Sequence, residues 1–436
     1  MPEHYLKIYK DKSVYVREDG TCEIFLEGSQ SSEAARRAAD INQKLNSGYL
    51  DNLISGLVDG TIPFDITAVP ESLQQNLRDL VCSVTSEVGR ALIGLSFLQL
   101  TIKTLAPEQC IRLHKGGKSA NIFSWTEGIS MRTIDNKYIT PILRKHNLLS
   151  LNADGIMMTR SLAENYPYSS LYKAQLRGAK DQWLSIVEFL ETESFNTEEA
   201  LKLLIKLLID RAEVFEKLAD DTVQKLGNID KNDLSKQSVL EMLISHRNSS
   251  DYAARLLEIS MHALCQAAIE SGSITYSLNP LSQMRSANKK HGNIGDVEFL
   301  DGKIIIESWD AKYGKSYLRE ELEELHEKLE YHPEVEIAGF VTSEPPILND
   351  EISSRMEELI ELHGVDISIK TFAEWVDYIF EKCMSSDEMI TESDLASRWL
   401  EAYTLSLAQR KRKIAPIDEP CIGWLKLLND ILQKQN

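Results

Sequence analysis

HGNIGDVEFLDGKIIIESWDAKYGK, residues 291–315, reads as two strands joined at a turn. GDVEFL and KIIIESWDAKY carry the β-branched and aromatic residues of a half-buried hairpin, and Asp301-Gly302 is a turn signal between them. Side chains alternate along a strand, so Asp310 and Lys312 leave the same face. The face taken by Asp296 depends on register. A plain two-residue turn pairs Leu300 with Lys303 and Asp296 with Glu307, which puts Asp296 behind the sheet from Asp310. A one-residue offset moves Asp296 to the face of Ser308, Asp310 and Lys312. A three-residue loop with Gly302 in the left-handed conformation creates such an offset as a bulge. A bulged hairpin is therefore expected; in the plain register Glu307 would be the better acid.

The chemistry follows from that face. Phosphodiester hydrolysis needs a divalent cation to polarise the phosphoryl oxygen and acidify a water. Mg2+ takes oxygen ligands and retains several waters, so Asp296, Asp310 and the Ala311 carbonyl would hold it. An ammonium at Lys312 would orient or deprotonate the attacking water. A charged pair after KIIIESW is unusual in a strand whose start is apolar, and buried charges there need a partner or a metal.

Working outward, YLREELEELHEKLEYH reads as a helix with an acidic, solvated face. A buried strand EIAGFVTS, a helix DEISSRMEELIELHG and a strand VDISIKTF follow. This succession predicts an α/β domain with a mixed sheet flanked by helices. Upstream, WLSIVEFLET, TEEALKLLIKLLIDRAEVFEKLADDTVQKL and DYAARLLEISMHALCQAAIES carry apolar residues at helical spacing. KSVYVREDGTCEIFLEG, near the N-terminus, reads as a hairpin turning at Asp19-Gly20. The expected organisation is an α+β region over 1–110, a basic segment over 111–180, a helical connector over 181–250, and a catalytic domain with a helical tail over 251–436.

The 436 residues carry a net charge of −19, unevenly spread. Residues 112–180 hold eleven Lys or Arg against four acids, +7 in total, which leaves −26 for the rest. Such asymmetry suits a cleft facing an anionic polymer on an otherwise repulsive body. Within this segment TPILRKHNLLSLNADGIMMTRS reads as a basic helix running into two strands about Ala153-Asp154-Gly155, the layout of a winged helix. The candidate DNA contacts are Arg112, His114, Lys115, Lys118, Arg132, Arg144 and Lys145. Arg285, Lys289 and Lys290 in the segment leading into the hairpin join them.

The arrangement of Gly295-Asp296 on the first strand and Asp310-Ala311-Lys312 on the second resembles the PD-(D/E)xK nuclease superfamily, type II restriction endonucleases in particular. The resemblance covers roughly residues 250–380. Glycine stands where the superfamily commonly has proline before the first acid, and Asp310 where it commonly has glutamate. What the resemblance implies is a restriction-endonuclease-like core, Mg2+-dependent cleavage of double-stranded DNA, a homodimer, and a companion DNA methyltransferase. It also implies a further acid on the helix before the hairpin, for which Glu258 is the first candidate and Glu270 the second. The alternatives are a modification-dependent or other anti-phage nuclease, and a non-catalytic DNA-binding regulator.

Other classes are disfavoured. The chain lacks GxxxxGK[ST], GxGxxG, HExxH and GxSxG. Its six cysteines are scattered without a CxxC pair, which argues against zinc and a disulfide framework. With no secretory leader pattern and no long apolar run, a cytoplasmic protein with no membrane partner is expected.

Overall fold

A computed structural model describes residues 4–84, 89–118, 123–149, 151, 155–156, 166–176, 178–281, 292–385, 390–409 and 420–435. The chain forms two compact units, Met1–Glu216 and Lys217–Asn436. Their division falls inside the long helix Thr197–Gly227, within the stretch read as a helical connector. The architecture is mixed α/β, with one sheet in each unit.

The first unit begins with an antiparallel sheet of β1 (Tyr5–Ile8), β2 (Lys12–Val16) and β3 (Cys22–Leu26). The β2–β3 hairpin turns where Asp19-Gly20 predicted. Gly20 takes a left-handed φ of 85°, and Thr21 N–H is caught by Asp19 Oδ1 at 2.8 Å. Helices follow: α1 (Ser32–Asn46), α2 (Tyr49–Val58), α3 (Glu71–Cys82) and α4 (Arg90–Leu105). Nearly every residue of α4 is buried, the signature of a helix surrounded by others. Its polar Gln99 is satisfied by Trp183 Nε1 at 2.9 Å.

The basic segment holds two short helices, α5 (Met131–Ile134) and α6 (Thr140–Lys145), linked by a π turn over Asp135–Ile139. After α6 the chain turns back: Asn147 adopts a φ of 54°, and Leu148 N–H returns to Leu143 O at 3.0 Å. Much of the expected winged-helix hairpin, residues 152–154 and 157–165, lies outside the described residues. Helices α7 (Lys180–Thr192) and α8 (Thr197–Gly227) complete the run.

In the second unit α9 (Lys236–Asn248) and α10 (Ala253–Glu270) precede a five-stranded sheet in sequential order. It comprises β4 (Ser277–Leu278), β5 (Val297–Asp301), β6 (Ile304–Lys312), β7 (Ile337–Thr342) and β8 (Asp366–Thr371). The first three strands are antiparallel. β6, β7 and β8 are parallel, joined through α11 (Arg319–Leu329) and α12 (Asp350–His363). Parallel neighbours need such crossovers. Helix α12 is bounded by its sequence: Asn349 Oδ1 caps Ile352 N–H at 3.0 Å, and Gly364 ends the helix in the left-handed conformation. α13 (Phe372–Met384), started by a Thr371/Glu374 capping box, α14 (Glu392–Gln409) and α15 (Cys421–Gln433) close the unit.

Each face of this sheet is covered. Ala338, Phe340, Ile367 and Ile369 pack with Leu322, Leu325, Leu329, Ile352 and Leu359 from α11 and α12. On the other face Trp309 meets Trp375 edge-on at 6.3 Å, and Phe372 meets Trp399 at 6.2 Å. Buried on both sides, β7 is nearly continuous apolar sequence, as its reading as an interior strand required. All six cysteines are free thiols, and no described helix is long and apolar enough to cross a membrane.

β7 carries Gly339 because the sheet leaves no room for a side chain there. A Cβ would lie 2.2 Å from Ser368 O and 2.7 Å from the Trp309 ring. Gly339→Ala should therefore destabilise the second unit by about 1–3 kcal/mol through overpacking. Urea unfolding would show this as a lower midpoint at unchanged slope; an unchanged midpoint would mean the strands separate freely here.

Candidate active site

The β5–β6 hairpin has the register offset that the parity argument required, but not at the loop. The turn itself is two residues, Gly302-Lys303, between paired Asp301 and Ile304, with Gly302 at a φ of 62°. The slip comes further along, between Phe299 and Leu300, where Phe299 faces Glu307 and Leu300 faces Ile305. Beyond this bulge Glu298 lies opposite Ser308, on the face of Asp310 and Lys312. Glu307 is turned to the back, beside Trp309.

Asp296 stands just ahead of β5. Its N–H donates to Trp309 O at 2.9 Å, and its Oδ2 accepts from Ala311 N–H at 3.0 Å. The Asp310 carboxyl lies close enough for its charge to act on that of Asp296. Lys312 Nζ reaches Asp310 Oδ2 at 2.9 Å. The two acids and the ammonium singled out in sequence are therefore gathered in one cluster, with Lys312 paired to Asp310 and both within electrostatic reach of Asp296. Lys312 O accepts from Ser343 N–H of the segment after β7, whereas Trp309 O faces Asp296. Peptide groups alternate edges along a strand, so the Ala311 carbonyl, like its N–H, points to the Asp296 side.

A glycine before Asp296 is what this geometry demands. At position 295 a Cβ would sit 2.6 Å from Trp309 O and 2.7 Å from Ser308 Oγ. Glu298, 1% exposed, organises the approach by accepting from Ile294 N–H at 2.6 Å, Gly295 N–H at 3.2 Å and Asn279 Nδ2 at 2.7 Å.

The electrostatics are those of crowded carboxylates. Burial pushes the Asp296 carboxyl well above the usual range, and the charges of Asp310 and Glu258 push it further. Glu258, on α10, thus lies within electrostatic reach; its own ion pair is with Arg255. Burial alone would lower the Lys312 ammonium, but Asp310 and Asp296 outweigh it and hold the group above its ordinary value. Lys312 is consequently a cation at neutral pH.

Helix α11 contributes more than a solvated acidic face. Lys328 donates to Ile294 O at 2.7 Å and stands 4.0 Å from Asp310 Oδ2. Glu321, buried and paired with Lys315, lies close enough to raise Lys312. Lys328 and Glu321 line a small cavity with Asp310 and Ser308, whose buried Oγ has no hydrogen-bond partner. Neither helix residue was identifiable from strand parity. Glu307, the alternative acid, is buried on the back face, held by Trp309 Nε1 at 2.7 Å, Lys382 Nζ at 2.5 Å and Tyr378 OH at 3.2 Å. Glu270, the second choice for the helix acid, accepts from Gln266 Nε2 at 2.8 Å on the exposed side of α10.

Among the described residues no group of three or more His, Cys, Asp or Glu forms a ready metal cage. The donor set present is two neighbouring carboxylates with an adjacent carbonyl. That fits a cation which keeps most of its waters, such as Mg2+, better than one needing a full protein cage.

The expected DNA contacts divide sharply. Arg112 is fully buried in the first unit, where it pairs with Glu188 at 2.8 Å and Glu23 at 3.2 Å and donates to Tyr168 O at 3.1 Å. His114 is 3% exposed and stacks on Tyr168 at 5.2 Å. Both side chains are buried in the first unit, and the acids that pair with Arg112 come from elsewhere in the chain. Lys115 is half-buried over the Phe123 ring at 5.2 Å. Lys118, Arg132, Arg144 and Lys145 are exposed. Of these, Lys145 is engaged by Asp51 at 2.7 Å, and Arg144 donates to Leu151 O at 3.0 Å. Arg285, Lys289 and Lys290 lie outside the described residues.

No family model matches the sequence, and no curated protein matches it.

A carboxyl whose folded pKa is raised stabilises the fold only while it is protonated. That contribution is complete below the ordinary carboxylate range and is lost as pH rises through the elevated folded value. In chelator, Asp296→Asn should therefore be more stable than wild type at about pH 8, with the gap shrinking toward about pH 5. Urea midpoints at both pH values test this; a gap independent of pH would show that Asp296 ionises without penalty.

Proposed function

We propose that the chain is a Mg2+-dependent endonuclease acting on double-stranded DNA, a restriction-type enzyme of the PD-(D/E)xK kind. The observation that carries this reading is the clustering of Asp296, Asp310 and Lys312 at the end of two adjacent strands. Helix, antiparallel hairpin and two parallel strands reached through helices, in sequential order, give further support.

Asp296, Asp310 and the Ala311 carbonyl would hold the cation. When bound, Mg2+ supplies Lewis acidity toward the phosphoryl oxygen and lowers the pKa of a coordinated water. Lys312 donates a hydrogen bond and places positive charge beside the developing phosphorane. Its present partner is Asp310 Oδ2, at 2.9 Å, so Lys312 stands beside a carboxylate that would hold the cation. Glu258 acts at longer range on the charge of Asp296. Dimerisation, to cut both strands, and a protecting methyltransferase belong to the same proposal.

The test is digestion of long, unmethylated, mixed-sequence DNA with and without Mg2+, using wild type, Asp310→Ala and Lys312→Ala. Discrete fragments from the wild type are expected, lost in chelator and reduced at least about 100-fold in each variant. Cleavage that persists in Asp310→Ala, or a folded wild type that cuts neither plain nor base-modified DNA, would overturn the reading.

A further inference from the structure

The carboxylate cluster leaves one cation at the same end of the sheet unexplained. Arg247, in the last turn of α9, is 5% exposed, and its guanidinium stands 5.8 Å from the Tyr313 ring and 5.7 Å from that of Phe372. Nε donates to Asn248 Oδ1 at 3.3 Å. Nη1 is buried and has no hydrogen-bond partner among the described residues. Among the described residues it forms no ion pair with a carboxylate. Burial holds the group below its ordinary arginine value; Tyr313, Glu344 and Tyr403 oppose that shift without cancelling it.

Two other buried arginines are treated differently. Arg112 has Glu23 and Glu188, and Arg255 has Glu258. A buried charge normally comes with its counter-ion, because neither its desolvation nor an unmade hydrogen bond is otherwise recovered. Position suggests what the missing partner is. Tyr313 directly follows Lys312, and Glu344 follows β7, so Arg247 lies at the carboxyl ends of parallel strands, where α/β sheets gather ligands. A planar guanidinium held near two rings presents its nitrogens to an oxyanion in a restricted orientation. Tyr313 is 40% exposed, so the neighbourhood of the guanidinium borders solvent on that side.

We infer that Arg247 is a phosphate-binding residue, anchoring a backbone phosphate of the strand held beside Asp310 and Lys312. The inference rests on the nuclease reading for the identity of the strand, though not for the affinity for phosphate.

Thermal unfolding of wild type, Arg247→Met and Arg247→Lys in sodium phosphate and in sodium chloride of equal ionic strength tests the site. Wild type should gain stability in phosphate, Arg247→Met should gain none, and Arg247→Lys should retain part of the gain. In chloride Arg247→Met should be at least as stable as wild type, because an unpaired buried charge has been removed. In the Asp310→Ala background, adding Arg247→Met should weaken duplex binding about tenfold and reduce the salt slope by about 0.9. A phosphate gain that is undiminished in either variant overturns the inference, as does an Arg247→Met protein less stable in chloride with the gain intact. A gain that depends on Arg247, with no duplex bound by any variant, supports the phosphate site and overturns the nuclease reading instead.

Discussion

The close approach of the Asp296 and Asp310 carboxyls sets the terms for the second unit. Two acids that would repel each other in water are brought together where burial further disfavours their charge. Ammonium groups stand at the negative side of this pair, Lys312 from the strand and Lys328 from α11. The arrangement is intrinsically unfavourable to the fold, and the hydrophobic faces of the sheet hold it in place. Strain of this kind at a site is what a cation-binding function would select for, at some cost in stability.

That approach depends on the backbone slip between Phe299 and Leu300. Without it, Glu307 would exchange faces relative to Asp296, and the two polar clusters of β6 would mix. As built, the strand keeps them apart: Asp310 and Lys312 in front, Glu307 with Lys382, Tyr378 and Trp309 behind. The rear cluster is fully bonded and reads as support for the strand.

Much of this was legible in residues 291–315, because alternation along a strand is a local rule. Asp310 and Lys312 needed only a separation of two, and the need for an offset followed from counting. Its location did not: a bulge within paired strands leaves no glycine or turn residue to mark it, and Ile306 is indistinguishable from its neighbours in KIIIESW. Lys328, Glu321 and Arg247 reach this region from helices, through packing that no periodicity encodes. Arg112, in a basic segment of the sequence, is buried among acids in the fold. Glu188, its nearest acid in space, is 76 residues away in sequence. Charge counting is blind to that separation.

Position 295 shows how narrow the allowed sequence becomes beside such a site. Alanine is excluded by Trp309 O and Ser308 Oγ, and proline would remove the N–H that Gly295 gives to Glu298. A chain that carries proline before its first acid must organise this approach without that hydrogen bond. Divergence between the two solutions therefore cannot pass through single substitutions at 295. It would require Glu298 and the packing around Ser308 to change with it, so the two sequence types are separated by a coupled step rather than a gradual drift.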